Sequence, residues 1–172
     1  QEFRIASGGL IDRSKEISFI FNGKKYNGYK GDTLASALLA NGVHLIGRSF
    51  KYHRPRGIIA AGVEDANGKV QLYKDNITEP NVNVTEVELV EGLRIESQNC
   101  WPSVNFDVGG INNFLNRFFL AGFYYKTFMW PKSFWYHVYE PFIRKAAGMG
   151  KASLDPDPDR YEHQYEHCAI LV

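Results

Sequence analysis

Between Glu16 and Tyr29, Ile17, Phe19 and Phe21 alternate with Ser18 and Ile20, and Asn22-Gly23 then interrupts the pattern before Lys25 to Tyr29. Period-two alternation on either side of an Asn-Gly pair predicts a β-hairpin. Leu34, Ala37, Leu38 and Asn41 follow at helical spacing behind Asp32 and Thr33, either of which can cap a helix. Gly42 is placed for the left-handed conformation that ends it. Val43 to Ile46 reads as an extended segment running into Gly47, and Arg48 to Gly57 as a polar, basic loop holding Pro55. Ile58–Val63 and Val70–Tyr73 read as strands flanking a further turn at Asn67-Gly68. The run of Val82, Val84, Val87, Leu89 and Val90 then stops at Glu91-Gly92, before Leu93-Arg94-Ile95 alternates once more. A hairpin, one helix and further short strands is the order of an α+β domain of β-grasp type, in which a single helix crosses a mixed sheet. This domain is expected to span residues 1–98.

After residue 98 the pattern changes. Thirteen of the 25 aromatic residues lie between Phe114 and Phe142, in a stretch that includes Phe123-Tyr124-Tyr125, Met129-Trp130 and Phe134-Trp135-Tyr136. Aromatics at helical spacing ordinarily build core. So many of them beside one small domain exceed what it can bury by itself, which makes a docking surface the competing expectation. Pro131 and Pro141 bracket a short predicted helix, Ser133 to Glu140, and Pro141 suits the first turn of another, Phe142 to Ala147, ended by Gly148 and Gly150. Residues 99–154 therefore read as an aromatic, partly helical extension. Asp155-Pro156-Asp157-Pro158-Asp159 reads as a stiff acidic linker and Tyr161 to His167 as a polar, helix-compatible piece. Cys168-Ala169-Ile170-Leu171-Val172 reads as a strand buried on both faces, the first of a following domain. On that pattern residues 155–172 are a linker and the first strand of a following domain, and the sequence is the front part of a longer polypeptide.

The composition, 172 residues with 44% hydrophobic and 23% charged, is that of a folded chain. Twenty Lys and Arg balance 19 Asp and Glu to a net charge of +1, which removes the field a duplex-binding or membrane-surface protein uses. Neither a nucleic acid nor a membrane is an expected partner, and no run approaches the roughly 18 apolar residues of a spanning helix. Cys100 and Cys168 are too few for a four-thiolate metal or iron–sulfur site or for a disulfide framework, so a reducing, cytoplasmic setting is expected.

Five basic side chains fall within Arg48–Gly57, where guanidinium groups can hold phosphates or carboxylates bidentately and Tyr52 can stack on a ring. The plainer alternative is a solvated loop or a subunit contact. No Gly-x-Gly-x-x-Gly or phosphate-loop pattern accompanies it. His163 and His167 stand at i, i+4 beside Cys168, a spacing that admits zinc on a helix, but without the neighbouring Glu or a clear third ligand; solvated linker residues are the better expectation. No catalytic, cofactor-binding or metal-binding residue is expected. Tyr52, His53, Arg54 and Arg56 in the loop, with Tyr124, Tyr125, Trp130 and Trp135 in the extension, are the candidate domain or subunit contacts.

Five segments carry a family resemblance. They are Ile11-Asp12-Arg13-Ser14, Tyr29-x-Gly31-Asp32-Thr33-Leu34-Ala35-Ser36-Ala37-Leu38-Leu39-Ala40-Asn41-Gly42-Val43, Arg48-Ser49-Phe50-Lys51-Tyr52-His53-Arg54-Pro55-Arg56-Gly57-Ile58, Trp101-Pro102-Ser103 and Gly122-Phe123-Tyr124-Tyr125-Lys126-Thr127-Phe128-Met129-Trp130-Pro131. Together they resemble the N-terminal region of the α (large) subunit of the heterotetrameric sarcosine oxidase family, over essentially the whole chain. The resemblance implies a [2Fe-2S] ferredoxin-like β-grasp domain that has lost its cluster, since Arg48 to Val63 holds no cysteine where relatives carry a cysteine-rich loop. For the parent enzyme it implies oxidative demethylation of sarcosine to glycine, with hydrogen peroxide formed from oxygen and the one-carbon unit passed to water or tetrahydrofolate. It implies FAD in the β subunit, FMN between α and β, NAD in α and folate in the C-terminal part of α, with the rest of α and the β, γ and δ subunits as partners.

In such a subunit Ala169–Val172 would open the NAD-binding domain, whose pyrophosphate glycines are absent from this sequence, and the present segment would be non-catalytic scaffold. The basic loop would then anchor it through Arg54 and Arg56. Large subunits of opine oxidases and N-methylglutamate dehydrogenases share the architecture, and a free-standing protein-interaction adaptor is the reading of a different class.

Overall fold

The computed structural model describes residues 1–74, 77–118, 130–147, 150–156, 162, 163, 165 and 167–170. Strands β1 (Asp12–Phe21) and β2 (Lys24–Lys30) form the expected hairpin. Asn22 and Gly23 have φ of 51° and 77°, the positive values a two-residue turn needs if it is to follow the twist of its strands. Helix α1 (Leu34–Ala40) starts at Thr33, whose Oγ1 accepts from the Ser36 N–H at 3.2 Å. Asp32, the other candidate cap, is instead turned inward onto Arg4. Gly42 ends the helix with φ 73°, and a Cβ there would also crowd the Phe3 ring at 2.9 Å. Because the cap satisfies a donor that the helix itself cannot, Thr33→Ala is expected to cost about 1 kcal/mol. That is a fall of about 3 °C in thermal unfolding; an unchanged midpoint would contradict it.

Strands β3 (Gly47–Arg48) and β4 (Pro55–Arg56) pair with each other alone. Strands β5 (Lys69–Lys74), β6 (Ile77–Asn83) and β7 (Arg94–Ser97) join the hairpin in a five-stranded sheet of order β2-β1-β7-β5-β6. The β1–β7 pair is parallel, with Ile20 opposite Arg94 and Phe21 opposite Ile95, and the other pairs are antiparallel. This mixed sheet crossed by one helix is the expected α+β, ferredoxin-like plan. Its core joins Phe19 and Phe21 of β1, Leu34 and Leu38 of α1, Val70 of β5 and Ile95 of β7, all buried. The first N–H groups of α1, which have no partner within the helix, donate to Val87 O and Val84 O at 2.8 and 2.9 Å.

Three sequence expectations change. Ile58–Val63 is not a strand and Asn67-Gly68 does not join two: the Asp65 carboxylate takes the N–H groups of Ile59 and Ala60 as well as those of Asn67 and Gly68, so the chain curls around one side chain instead of entering a ladder. The valine-rich stretch is strand only up to Asn83, because its carbonyls at Val84 and Val87 serve the helix start. The basic segment is a short hairpin, with Gly47 opposite Arg56 and Arg48 opposite Pro55.

In the extension, a 3-10 turn (Val108–Gly110) leads into α2 (Ile111–Phe114), and a π-helical turn (Trp135–Tyr139) runs directly into α3 (Glu140–Ala147). Pro141 sits in the first turn of α3 as expected, but the two predicted helices are one continuous run. The described aromatics do not build core: Phe114, Phe118 and Trp130 are 84%, 78% and 82% exposed, having no second layer to pack against among the described residues. Tyr124 and Tyr125 lie outside the described residues. Glu162, His163, Tyr165 and His167 are exposed and not helical, which separates the two histidines from the i, i+4 geometry a shared metal needs. Cys168, Ala169 and Ile170 are exposed and in no strand, for want of a ladder partner among the described residues, and Leu171 and Val172 lie outside them.

Candidate functional site

The basic hairpin is held shut locally. Ser49 N–H donates to Arg54 O at 2.9 Å, His53 N–H to Ser49 O at 2.9 Å, and the Ser49 hydroxyl accepts from Arg54 N–H at 3.0 Å. His53 closes the turn at φ 52°. Arg48, at the hairpin's base, donates from Nε to Val104 O at 2.9 Å and from Nη1 to His53 O at 3.2 Å, while Asn99 Nδ2 donates to Arg48 O at 2.9 Å.

His53 points inward. Its Nδ1 lies 2.6 Å from Asp107 Oδ2, with the two side chains 12% and 1% exposed. Asp107 Oδ1 already accepts from the N–H groups of Trp101 and Gly109, at 3.0 and 3.2 Å, so the carboxylate is the acceptor and the imidazole Nδ1 carries the proton. Gly109 leaves room for the ring, since a Cβ there would overlap it. Arg54 donates from Nε to Asn113 Oδ1 at 3.0 Å and lays its guanidinium 4.8 Å from the Tyr52 ring centre, with Lys51 Nζ 5.0 Å from the same centre. Arg56 Nη1 donates to Asn67 Oδ1 at 2.9 Å.

The structure therefore sets His53 and Arg54 against residues 99–113 of the same chain, stacks Tyr52 on Arg54, and turns Arg56 to the loop that carries Asp65. Trp130 is exposed and Trp135 half-buried on the π-helical turn. Neither has a described contact with the hairpin. Sequence reasoning did not find Asp65 or Asp107. A usable signal for Asp65 is the Asp-x-Asn-Gly string at 65–68, whose first side chain can bond the backbone two and three residues on. Asp107 pairs with a residue 54 positions away and has no such local mark.

Residues 14–100 match the family model described as "2Fe-2S iron-sulfur cluster binding domain". The chain belongs to this family. Such a cluster needs four thiolate ligands, or imidazoles in place of some. The chain of this family member carries two cysteines: Cys168 is exposed, and Cys100 is half-buried. Burial, seconded by the Asp107 charge and opposed by Arg48, pushes the Cys100 thiol up, away from the thiolate form a metal requires. The one imidazole of the hairpin has its Nδ1 bound to Asp107, and among the described residues no group of three or more His, Cys, Asp and Glu side chains is placed to hold a metal ion. The N–H groups that converge in the neighbouring loop are occupied by Asp65. These residues do not fit a [2Fe-2S] cluster, and no electron-transfer step follows from them.

Among curated relatives, "Sarcosine oxidase subunit alpha" of Rhizobium meliloti (strain 1021) is 55% identical over 170 residues, 99% of this chain. Proteins of the same name from Corynebacterium sp. strains U-96 and P-1 are 36% and 38% identical over 51% and 48% of it. The chain spans 17% of the length of the Rhizobium protein and 9% of each of the other two. It is thus a homologue of sarcosine oxidase subunit alpha over nearly all of its own length. A solved structure, that of L-proline dehydrogenase from P. horikoshii, is 26% identical with a TM-score of 0.39, covering 51% of this chain and 16% of that one.

Proposed function

We propose that this chain is a structural, non-catalytic domain of the large subunit of a sarcosine-oxidase-like flavoenzyme. The observation that carries the reading is the 55% identity to sarcosine oxidase subunit alpha over 170 residues. A loop organised by Asp65 and a hairpin whose polar groups meet partners within the chain support the structural role. On this reading the parent enzyme works in the cytoplasm, demethylates sarcosine to glycine and forms hydrogen peroxide, with the one-carbon unit passed to tetrahydrofolate. NAD, FAD, FMN and tetrahydrofolate are held by other parts of the assembly, and the partners are the rest of α and the β, γ and δ subunits. An opine oxidase or an N-methylglutamate dehydrogenase differs from this in the amine, which no residue of the domain touches.

Trp101, Phe106, Phe114, Phe118, Trp130 and Phe142 are each more than two-thirds exposed, and supply contact area for such an assembly. Among the described residues no helix is long and apolar enough to cross a membrane. Tyr52, His53, Arg54 and Arg56, with Tyr124, Tyr125, Trp130 and Trp135, are the proposed contact residues. The test is to purify the assembled enzyme with Arg54→Ala and Arg56→Ala together. The expected result is a severalfold loss of bound flavin or of partner subunits, with the melting temperature of the domain within about 5 °C of the parent. Full assembly and flavin content in the double variant would return the two arginines to a solvated hairpin. Purification of the unmodified chain without flavin subunits would favour the adaptor, which the same exposed aromatics suit.

A further inference from the structure

Gln71 stands on β5 between Val70 and Leu72, which face α1, so its amide lies on the opposite face of the sheet. On that face Tyr73, Arg94 and Glu96 form a polar cluster: the Arg94 guanidinium lies 4.9 Å from the Tyr73 ring centre, and the Tyr73 hydroxyl donates to Glu96 Oε2 at 3.0 Å. Gln71 nonetheless is only 4% exposed. It is engaged by chain 80 residues further on: Gln71 Nε2 donates to Lys151 O at 3.0 Å, and Gln71 Oε1 accepts from Lys151 N–H at 2.8 Å. One primary amide thus satisfies both backbone groups of a single residue, as a neighbouring strand would. Thr78 Oγ1 donates to the same Lys151 carbonyl at 2.9 Å.

The residue before Lys151 has to be small for two reasons. Gly150 has φ +76°, which strains any L side chain, and a Cβ there would overlap Gln98 Nε2 while standing 2.5 Å from Pro80 Cβ and 2.6 Å from Gln71 Oε1. Gln98 is itself only 7% exposed, and its Nε2 has no hydrogen-bond partner among the described residues. A buried amide in want of an acceptor therefore lies beside the incoming glycine.

We infer that Gln71, Thr78 and Gln98 form a backbone-recognition site on the outer face of the sheet, whose ligand is the Gly150–Lys151 peptide of this same chain, and which ties the chain back to the point where it leaves the sheet. The chain leaves the sheet at Gln98, directly after β7, and comes back against the Gln98 side chain at Gly150, so entry and exit share one point. The site reads main-chain groups and the absence of a Cβ. It therefore selects a glycine followed by any residue whose N–H and C=O are free, and the lysine side chain is not part of the recognition. Tying the chain at both ends confines the exposed Phe114, Phe118 and Trp130 to a far smaller volume than attachment at one end only, which raises their effective concentration at any partner surface.

Hydrogen exchange and trypsin cleavage after Lys151 test this on the unmodified protein and on two variants. In the unmodified protein the Lys151 amide is expected to exchange at least about tenfold more slowly than in an unstructured peptide. Gly150→Ala is expected to bring that rate to within about twofold of the unstructured value and to speed cleavage after Lys151 by about tenfold, with the amides of β7 as protected as before. Lys151→Arg keeps the trypsin site and is expected to change neither readout. An unprotected Lys151 amide in the unmodified protein overturns the proposal, as does a Gly150→Ala variant whose exchange and cleavage match the parent. Both decisive measurements leave the buried glutamines in place, so they do not depend on how a Gln71 variant folds.

Discussion

Asp65→Ala is expected to destabilise the domain by about 4 kcal/mol, the largest effect of any single substitution considered, through lost charge-assisted hydrogen bonds and orphaned donors. The side chain is 1% exposed. Its Oδ2 accepts from the N–H groups of Ile59 and Ala60 at 2.8 and 3.0 Å, and its Oδ1 from those of Asn67 and Gly68, both at 2.8 Å. Each hydrogen bond to a charged group contributes roughly 1.5–3 kcal/mol, and alanine removes four acceptor contacts at once while water regains access to some of the donors. The fall in thermal midpoint is expected to be about 10 °C or more, and a loss below 3 °C would contradict the central place given to this carboxylate.

The same group sets an acid limit. Burial pushes the Asp65 carboxyl up, but the hydrogen bonds from Gly68, Ile59, Ala60 and Asn67 outweigh it and hold it at about 2, against an ordinary 3.8. A carboxyl depressed in the folded state binds its proton more readily when the chain is unfolded. Its contribution is therefore complete above about pH 4 and is lost as the pH falls towards 2. Urea unfolding between pH 5 and pH 2 is expected to show a steeper loss of stability in the parent than in Asp65→Asn, which has no proton to gain at that site. Equal slopes would place the acid sensitivity elsewhere.

Arg4→Ala has the second-largest expected effect, about 3 kcal/mol, because it leaves a buried carboxylate without its counter-charge. Arg4 donates from Nη1 to Asp32 Oδ1 at 3.1 Å and from Nη2 to Asp32 Oδ2 at 2.6 Å, and Asp32 is 1% exposed. The Ser36 hydroxyl and the Tyr29 N–H still serve the carboxylate in the variant, at 2.6 and 2.9 Å, which keeps the loss towards the lower end for a broken buried pair. Burial raises the Asp32 carboxyl and the bonds from Arg4, Ser36 and Tyr29 lower it, with a net lowering. Its stabilisation is thus present above the unfolded carboxylate range and is lost as the pH falls through the folded value; without Arg4, whose bonds lower that value, the loss is smaller and levels off at higher pH. Adding Asp32→Asn to Arg4→Ala is expected to recover about 1 kcal/mol, since the uncompensated charge is then gone. A double variant that loses the sum of the two single effects would show that the two side chains act independently.

The elements legible in the sequence are those whose cause is local. Asn22-Gly23 dictates its own turn, and Thr33 with the Leu34–Leu38 spacing dictates its own helix, so β1, β2 and α1 could be read from a window of a few residues. The family was legible as well, through the strings around Asp32 and Arg54. The elements missed owe their form to particular side chains rather than to a repeating pattern, and the contacts missed span the chain. Ile58–Val63 has the apolar make-up of a strand, but the N–H groups of Ile59 and Ala60 go to the Asp65 carboxylate and those of Ala61 and Gly62 to the Glu64 carboxylate. His53 meets Asp107 across 54 positions, and Gln71 meets Lys151 across 80. The aromatic run of the extension fixes neither burial nor exposure by itself. Only the absence of a facing layer among the described residues decides that Phe114, Phe118 and Trp130 stay in water.

The domain keeps the fold of an iron–sulfur family while Asp65 organises its loop, and its described residues supply no ligand set for a cluster. Anaerobic incubation of the protein with iron and sulfide, followed by removal of unbound metal and assay of iron, acid-labile sulfide and visible absorption, tests it most directly. The expected result is no stoichiometric iron, no sulfide and no charge-transfer bands. About two irons and two sulfides per chain, with the absorption of a [2Fe-2S] centre, would contradict it.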